Sequence, residues 1–163
     1  MSLAPAAERL RRRMLNPWLF RAYLARRVPL AAFAGLRLRR LDEASCAVWL
    51  PGGWRTRNPF SSAYFAAQAM AAEMSTGVPA FMLVEDVPAS VSFILRAIRA
   101  VFTKRIAGGS LFTFEDVAGL KSVVDRAAAG PDEQVYTGRS TGRTAQGELA
   151  AEFDVTWSFR RRR

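Results

Sequence analysis

The chain has 163 residues, half of them apolar, enough for one domain with a substantial core and too few to expect two. With no histidine and a single cysteine, Cys46, it has neither an internal disulfide nor the usual ligands for zinc, and any triad built on a histidine base is excluded. The net charge of +10 sits at the ends: residues 1–27 carry +6, residues 160–163 carry +4, and residues 28–159 hold thirteen basic and thirteen acidic side chains. A neutral body argues against nucleic acid as the partner, while the basic ends leave contact with anionic lipid or an acidic carrier open. No apolar run reaches membrane-spanning length, and Arg11-Arg12-Arg13 followed by aromatics is unlike a signal peptide. The expectation is a soluble cytoplasmic protein.

In chain order, Leu3, Ala6, Ala7, Leu10 and Met14 recur at helical spacing. Asn16-Pro17 reads as an N-cap with proline at the first helical position, restarting a helix through Trp18, Phe20, Tyr23 and Leu24. Residues 1–30 are thus expected to form a helical N-terminal extension whose aromatics pack on the protein's own core. Strands follow at 36–41 and 45–50, turned at Asp42-Glu43-Ala44, and then a loop at Pro51-Gly52-Gly53-Trp54. The alanine- and methionine-rich stretch at 61–76 predicts a helix, with Gly77 before Val78-Pro79 as its stop.

A long strand is expected at 90–104, from its β-branched and aromatic content, and another at 110–115. A short helix is expected at 117–129, closed by Gly130-Pro131. Two strands end the chain, 133–143 and 148–159. In the second, Phe153, Val155, Trp157 and Phe159 alternate with polar residues. Residues 160–163 are expected to be a solvated basic tail. This order suggests an α+β domain spanning 1–163, with one mostly antiparallel sheet wrapped on a single buried helix.

Glu73 stands out. It is the only charged residue between Arg57 and Glu85 and falls near the end of the predicted central helix, where both burial and the helix dipole would raise its proton affinity. Asn58-Pro59 lies upstream, where an N-cap and first-turn proline would open the helix. A carboxylate so placed can serve as a base near neutral pH.

These residues resemble the hotdog-fold acyl-CoA thioesterases, and most closely an uncharacterised thioesterase-like branch. The resemblance lies in the element order, in the block from Asn58-Pro59-Phe60-Ser61-Ser62 to Gly77, and in Phe102-Thr103-Lys104 and Val155-Thr156-Trp157. It covers about residues 33–159. It implies an antiparallel sheet around the central helix, a homodimer that could pair into tetramers, and hydrolysis of acyl-CoA or an acyl-carrier thioester with no cofactor. By the same resemblance Glu73 would be general base or nucleophile, and Asn58 would orient water, facing Glu73 from the other subunit. Ser90 or Ser92 would assist. The backbone N–H at the helix start would polarise the thioester carbonyl; the family usually has a glycine there, where this chain has Tyr64-Phe65. Phe65 and Phe60 at that place also admit the alternative of a non-catalytic hotdog domain that binds an acyl chain or carrier.

Overall fold

The structure is a computed structural model and describes residues 3–162. Three short helices, α1 (Pro5–Leu15), α2 (Pro17–Arg27) and α3 (Pro29–Ala34), precede a β-hairpin of β1 (Arg37–Leu41) and β2 (Cys46–Leu50). The long helix α4 (Phe65–Val84) follows, then β3 (Val91–Phe102), β4 (Ser110–Phe114), α5 (Val117–Ala129), β5 (Gln134–Thr144) and β6 (Leu149–Arg161). The strands form one six-stranded sheet in the order β1-β2-β4-β5-β6-β3, with every neighbouring pair antiparallel. β3 is therefore an edge strand although it falls in the middle of the chain.

The N-terminal helices follow local chemistry. The Asn16 side chain accepts hydrogen bonds from the N–H groups of Trp18 and Leu19 at 3.0 and 3.2 Å, capping α2, and proline opens each of the three helices. α3 was not foreseen; it ends at Gly35, whose φ of +78° turns the chain into β1. Phe20 and Leu24 of α2 are buried, as expected of that front end, but Trp18 is 77% exposed.

α4 departs from expectation at both ends. It begins at Phe65 rather than 61, and it runs through Gly77 and Pro79 to Val84. Proline inside a helix costs roughly 3 kcal/mol, because it removes one hydrogen bond and crowds the preceding turn. Burial offsets it: Ala80, Met82 and Leu83 are fully enclosed, and each large apolar side chain contributes about 1.5–3 kcal/mol. Eleven of the twenty residues of α4 are buried, among them Ala67, Ala71 and Ala72, which let the sheet approach closely.

α4 lies across β2, β4 and β5, with α5 beside it on β5 and β6, and it covers β3 less than any of these four strands. The side of the sheet facing α4 is marked by Trp157, whose indole Nε1–H donates to the Thr76 hydroxyl at 2.9 Å. Register places Leu95 opposite Trp157, Ile98 opposite Val155 and Ala100 opposite Phe153. The same face of β3 therefore carries Leu95 and Ile98, 42% and 39% exposed for want of cover.

The C-terminus is not a free tail. Arg160 and Arg161 belong to β6 and pair with Ser92 and Val91, and the Arg162 N–H donates to the Ser90 carbonyl at 2.8 Å. Extended pairing needs only backbone groups, so arginine at these positions does not end the strand. Arg163 lies outside the described residues.

Candidate active site

Glu73 sits in the interior of α4, eight residues from its start and eleven from its end, so the helix dipole that would act in a last turn does not reach it. Burial alone raises its carboxyl to a pKa of about 7 from an ordinary 4.5. Among the described residues no cation and no hydrogen-bond donor meets the carboxylate. It lines a cleft of about 380 Å³ whose walls are apolar: Met14, Phe20, Tyr23 and Leu24 on one side, Met74, Val78, Phe81 and Phe93 on the other. Phe93 is held by Trp157 and Phe159, with ring centroids 5.4 and 5.7 Å away.

Gly77, one turn along α4, makes this geometry possible. A Cβ there would lie 3.1 Å from Glu73 Oε1 and 3.2 Å from the Trp157 ring. The residue read as a helix stop is in fact the gap through which carboxylate and indole approach the helix. Thr76 locks the arrangement, since its hydroxyl donates to the Glu73 carbonyl at 2.9 Å while accepting from Trp157.

The other expected residues lie elsewhere in the chain. Asn58 does not cap α4, whose N-cap position is Tyr64. Its Oδ1 instead accepts from the N–H groups of Phe60 and Ser62 and from the Ser62 hydroxyl, shaping the loop before the helix. That loop lines a separate cleft of about 600 Å³ at the start of α4, with Tyr64, Phe65, Gln68, Lys104 and Arg105. Of the two backbone groups proposed there as oxyanion donors, the Tyr64 N–H is already engaged by the Thr56 carbonyl at 2.7 Å. The Phe65 N–H, at the first position of the helix, has no partner among the described residues.

Eight residues of helix separate Phe65 from Glu73, about 12 Å along the axis. Ser90 and Ser92 line a third cleft, with Glu85 and Arg162. The Ser92 hydroxyl donates to the Arg160 carbonyl at 3.1 Å, and strand alternation turns it away from the face on which Phe93 meets Glu73. A single chain thus holds Glu73 and its apolar cleft in one place and Asn58 with the Phe65 N–H in another.

Sequence reasoning places the aromatics of the N-terminal helices on the core but misses that α1 and α2 wall the Glu73 cleft. The i, i+3, i+4 spacing of Phe20, Tyr23 and Leu24 was the available signal, but nothing local to it points at Glu73. Among the described residues no cluster of acidic residues or cysteine could hold a metal ion, and no helix is long and apolar enough to cross a membrane.

Comparison with solved structures supports the architecture. A mutant thioesterase from Pseudomonas aeruginosa superposes with a TM-score of 0.66 at 14% identity, covering 98% of this chain and 96% of its own. A thioesterase from Haemophilus influenzae gives 0.60 at 14% identity, over 80% of this chain and 82% of its own. A protein of unknown function from Chlorobaculum tepidum gives 0.75 at 11% identity, over 91% and 99%. No curated protein matches the chain by sequence. The family described as a domain of unknown function, DUF4442, matches residues 16–158, which takes in α2 and α3 as well as the sheet and α4. The chain is therefore a member of the DUF4442 family, and it has the hotdog fold of these solved structures.

Proposed function

We propose that the protein hydrolyses acyl thioesters, carried by CoA or an acyl carrier, with Glu73 as general base in a site shared by two copies of the chain. The observation that carries this reading is Glu73 itself, a carboxylate without a partner in an apolar cleft, with its pKa raised to about 7. An unpaired buried carboxylate weakens the fold, and proteins keep such groups where chemistry uses them. In the proposed step Glu73 takes a proton from water, the oxygen attacks the thioester carbonyl, and the C–S bond breaks to release acid and thiol. The developing oxyanion needs a donor, and the free Phe65 N–H is suited to it.

Base and donor lie about 12 Å apart along one helix, so they reach the same carbonyl only if a second copy supplies one of them. The β3 edge suits that second copy. It is twelve residues long, its outer edge is unpaired, and Ile94, Leu95, Ile98, Val101 and Phe102 are all exposed on it. A long apolar edge of this kind invites pairing with another strand. Antiparallel β3–β3 pairing joins the two sheets and brings Asn58 of one copy towards Glu73 of the other, where its amide can orient water. Ser90 and Ser92 have no part in this mechanism.

The test is hydrolysis of a panel of acyl-CoA esters by wild type and by Glu73→Gln. The expected result is a loss of about 10²-fold or more with binding retained, and a wild-type rate that climbs with pH through about 7. Equal rates in the two proteins would overturn the mechanism. A second reading, an acyl-binding domain without turnover, is favoured by the side chains at the start of α4, where Phe60 is 82% and Phe65 57% exposed and could crowd an incoming carbonyl. Binding without hydrolysis in both proteins would select it.

A further inference from the structure

We propose that Arg21, Arg37 and Arg55 form a binding site for a phosphoryl group. Arg21 comes from α2, Arg37 opens β1, and Arg55 lies in the loop after β2. The three line one small cavity of about 190 Å³, walled by Leu24, Ala32, Gly35 and Leu36. No acidic residue lines it. Among the described residues none of the three has an ion pair or a side-chain hydrogen bond; Arg21 only rests over the Trp18 ring, 5.8 Å from its centroid. Arginines elsewhere on the chain do find carboxylates: Arg11 and Arg12 hold Glu8, Arg96 reaches Glu133, and Arg139 reaches Glu152 and Asp154. Arg9, Arg13, Arg26, Arg27, Arg39 and Arg57 likewise have no carboxylate partner among the described residues; what sets Arg21, Arg37 and Arg55 apart is that three separate elements bring them to one cavity that no acidic residue lines.

Gly35 shows that the backbone makes room for the cluster. Its φ of +78° turns α3 straight into β1, and a Cβ added there would stand 3.3 Å from Arg55 Nη2 and 3.2 Å from the Pro51 ring. The three arginines are exposed, so their guanidinium groups are accessible to an anion that enters the concavity. Their forked N–H groups match phosphate oxygens better than a lysine would, and three of them exceed what one carboxylate can engage. Leu24 borders both this cavity and the Glu73 cleft, which places the two on either side of α2.

A phosphate ester could come from a soluble carrier such as the nucleotide end of CoA or from an anionic lipid headgroup. The inference does not depend on the hydrolase reading, and its test reads binding rather than turnover. Pyrophosphate and CoA would be titrated calorimetrically into wild type, Arg21→Gln, Arg37→Gln, Arg55→Gln, the triple variant and Arg55→Lys. The control is Arg139→Gln, which removes the same charge elsewhere; Glu73→Gln is titrated beside it only to separate this site from the hydrolase reading. Co-sedimentation with phosphatidylcholine vesicles, with and without phosphatidylglycerol, tests the lipid source.

The expected result is binding by wild type of at least one phosphate probe, weakened tenfold or more by each glutamine variant in the cavity and unchanged by Arg139→Gln. Arg55→Lys keeps the charge and should still lose affinity, because it loses the fork. Cavity-dependent binding of CoA alone identifies a soluble ester, and of phosphatidylglycerol vesicles alone a headgroup; either supports the site. Equal affinity in wild type and the triple variant, an equal loss in Arg139→Gln, or no binding of any phosphate probe by wild type would each overturn it. If Glu73→Gln abolishes hydrolysis yet binds CoA normally through the arginines, both readings stand. If nothing is hydrolysed but the arginine-dependent binding persists, only the hydrolase reading falls.

Discussion

Replacing Glu73 by glutamine should change how stability depends on pH, and the size of the change follows from the burial of one carboxylate. In the native state its pKa is about 7, while in the unfolded chain it returns to about 4.5. Between those values the native state holds a proton that the unfolded state has lost. Wild-type stability therefore falls as pH rises through that window and levels off above it. At about 1.36 kcal/mol per pKa unit, a shift of this size amounts to about 3 kcal/mol.

Glutamine keeps the shape and cannot ionise, so the variant should gain about 3 kcal/mol over wild type between pH 4 and pH 8, or roughly 10 °C in Tm for a chain of this size. The background is quiet, because the chain has no histidine and the pKa values of Glu8 and Glu133 are lowered out of the window by their arginine and serine partners. Thermal or urea unfolding of both proteins at half-unit steps from pH 4 to 8.5 measures the difference directly. A difference that stays flat with pH would refute the premise, since it would mean that the carboxyl titrates alike in the folded and unfolded chain.

Four further outcomes are expected. Gly77→Ala should destabilise by about 1 kcal/mol despite the better helix propensity of alanine, because its Cβ would press on Glu73 and on a Trp157 ring that is fixed by Thr76; chemical denaturation checks this, and a gain in stability would count against it. Trp157→Phe removes the indole donor to Thr76 and should cost about 1–2 kcal/mol in urea unfolding, with no change in secondary structure by circular dichroism. Ile98→Lys on the β3 edge should give a monomer by light scattering and abolish hydrolysis, whereas deletion of residues 160–163 should cost about 1–3 kcal/mol by stripping partners from Ser90, Val91 and Ser92; an undiminished Tm in the deletion would show that the end of β6 contributes nothing.

Much of this protein was legible in its sequence because the signals were local. Asn16-Pro17 sets a helix start, and the alternation of Phe153, Val155, Trp157 and Phe159 sets a strand, through neighbouring residues alone. The isolation of Glu73 among small and apolar residues marked it as the candidate carboxylate, and the direction of its pKa shift followed from burial. What failed was what depends on contacts between distant segments. Gly77 and Pro79 are helix breakers by propensity, yet α4 passes through both because Met82 and Leu83 gain more from the core than the proline costs. Arg160 and Arg161 look like a solvated tail until β3 supplies a backbone partner. The walls of the Glu73 cleft from α1 and α2, and the meeting of Arg21, Arg37 and Arg55, join residues tens of positions apart, and no periodicity records that they will share a cavity. Sequence singled out Glu73 as a candidate; only the packing of the sheet, α4 and the N-terminal helices decided which residues share a cavity.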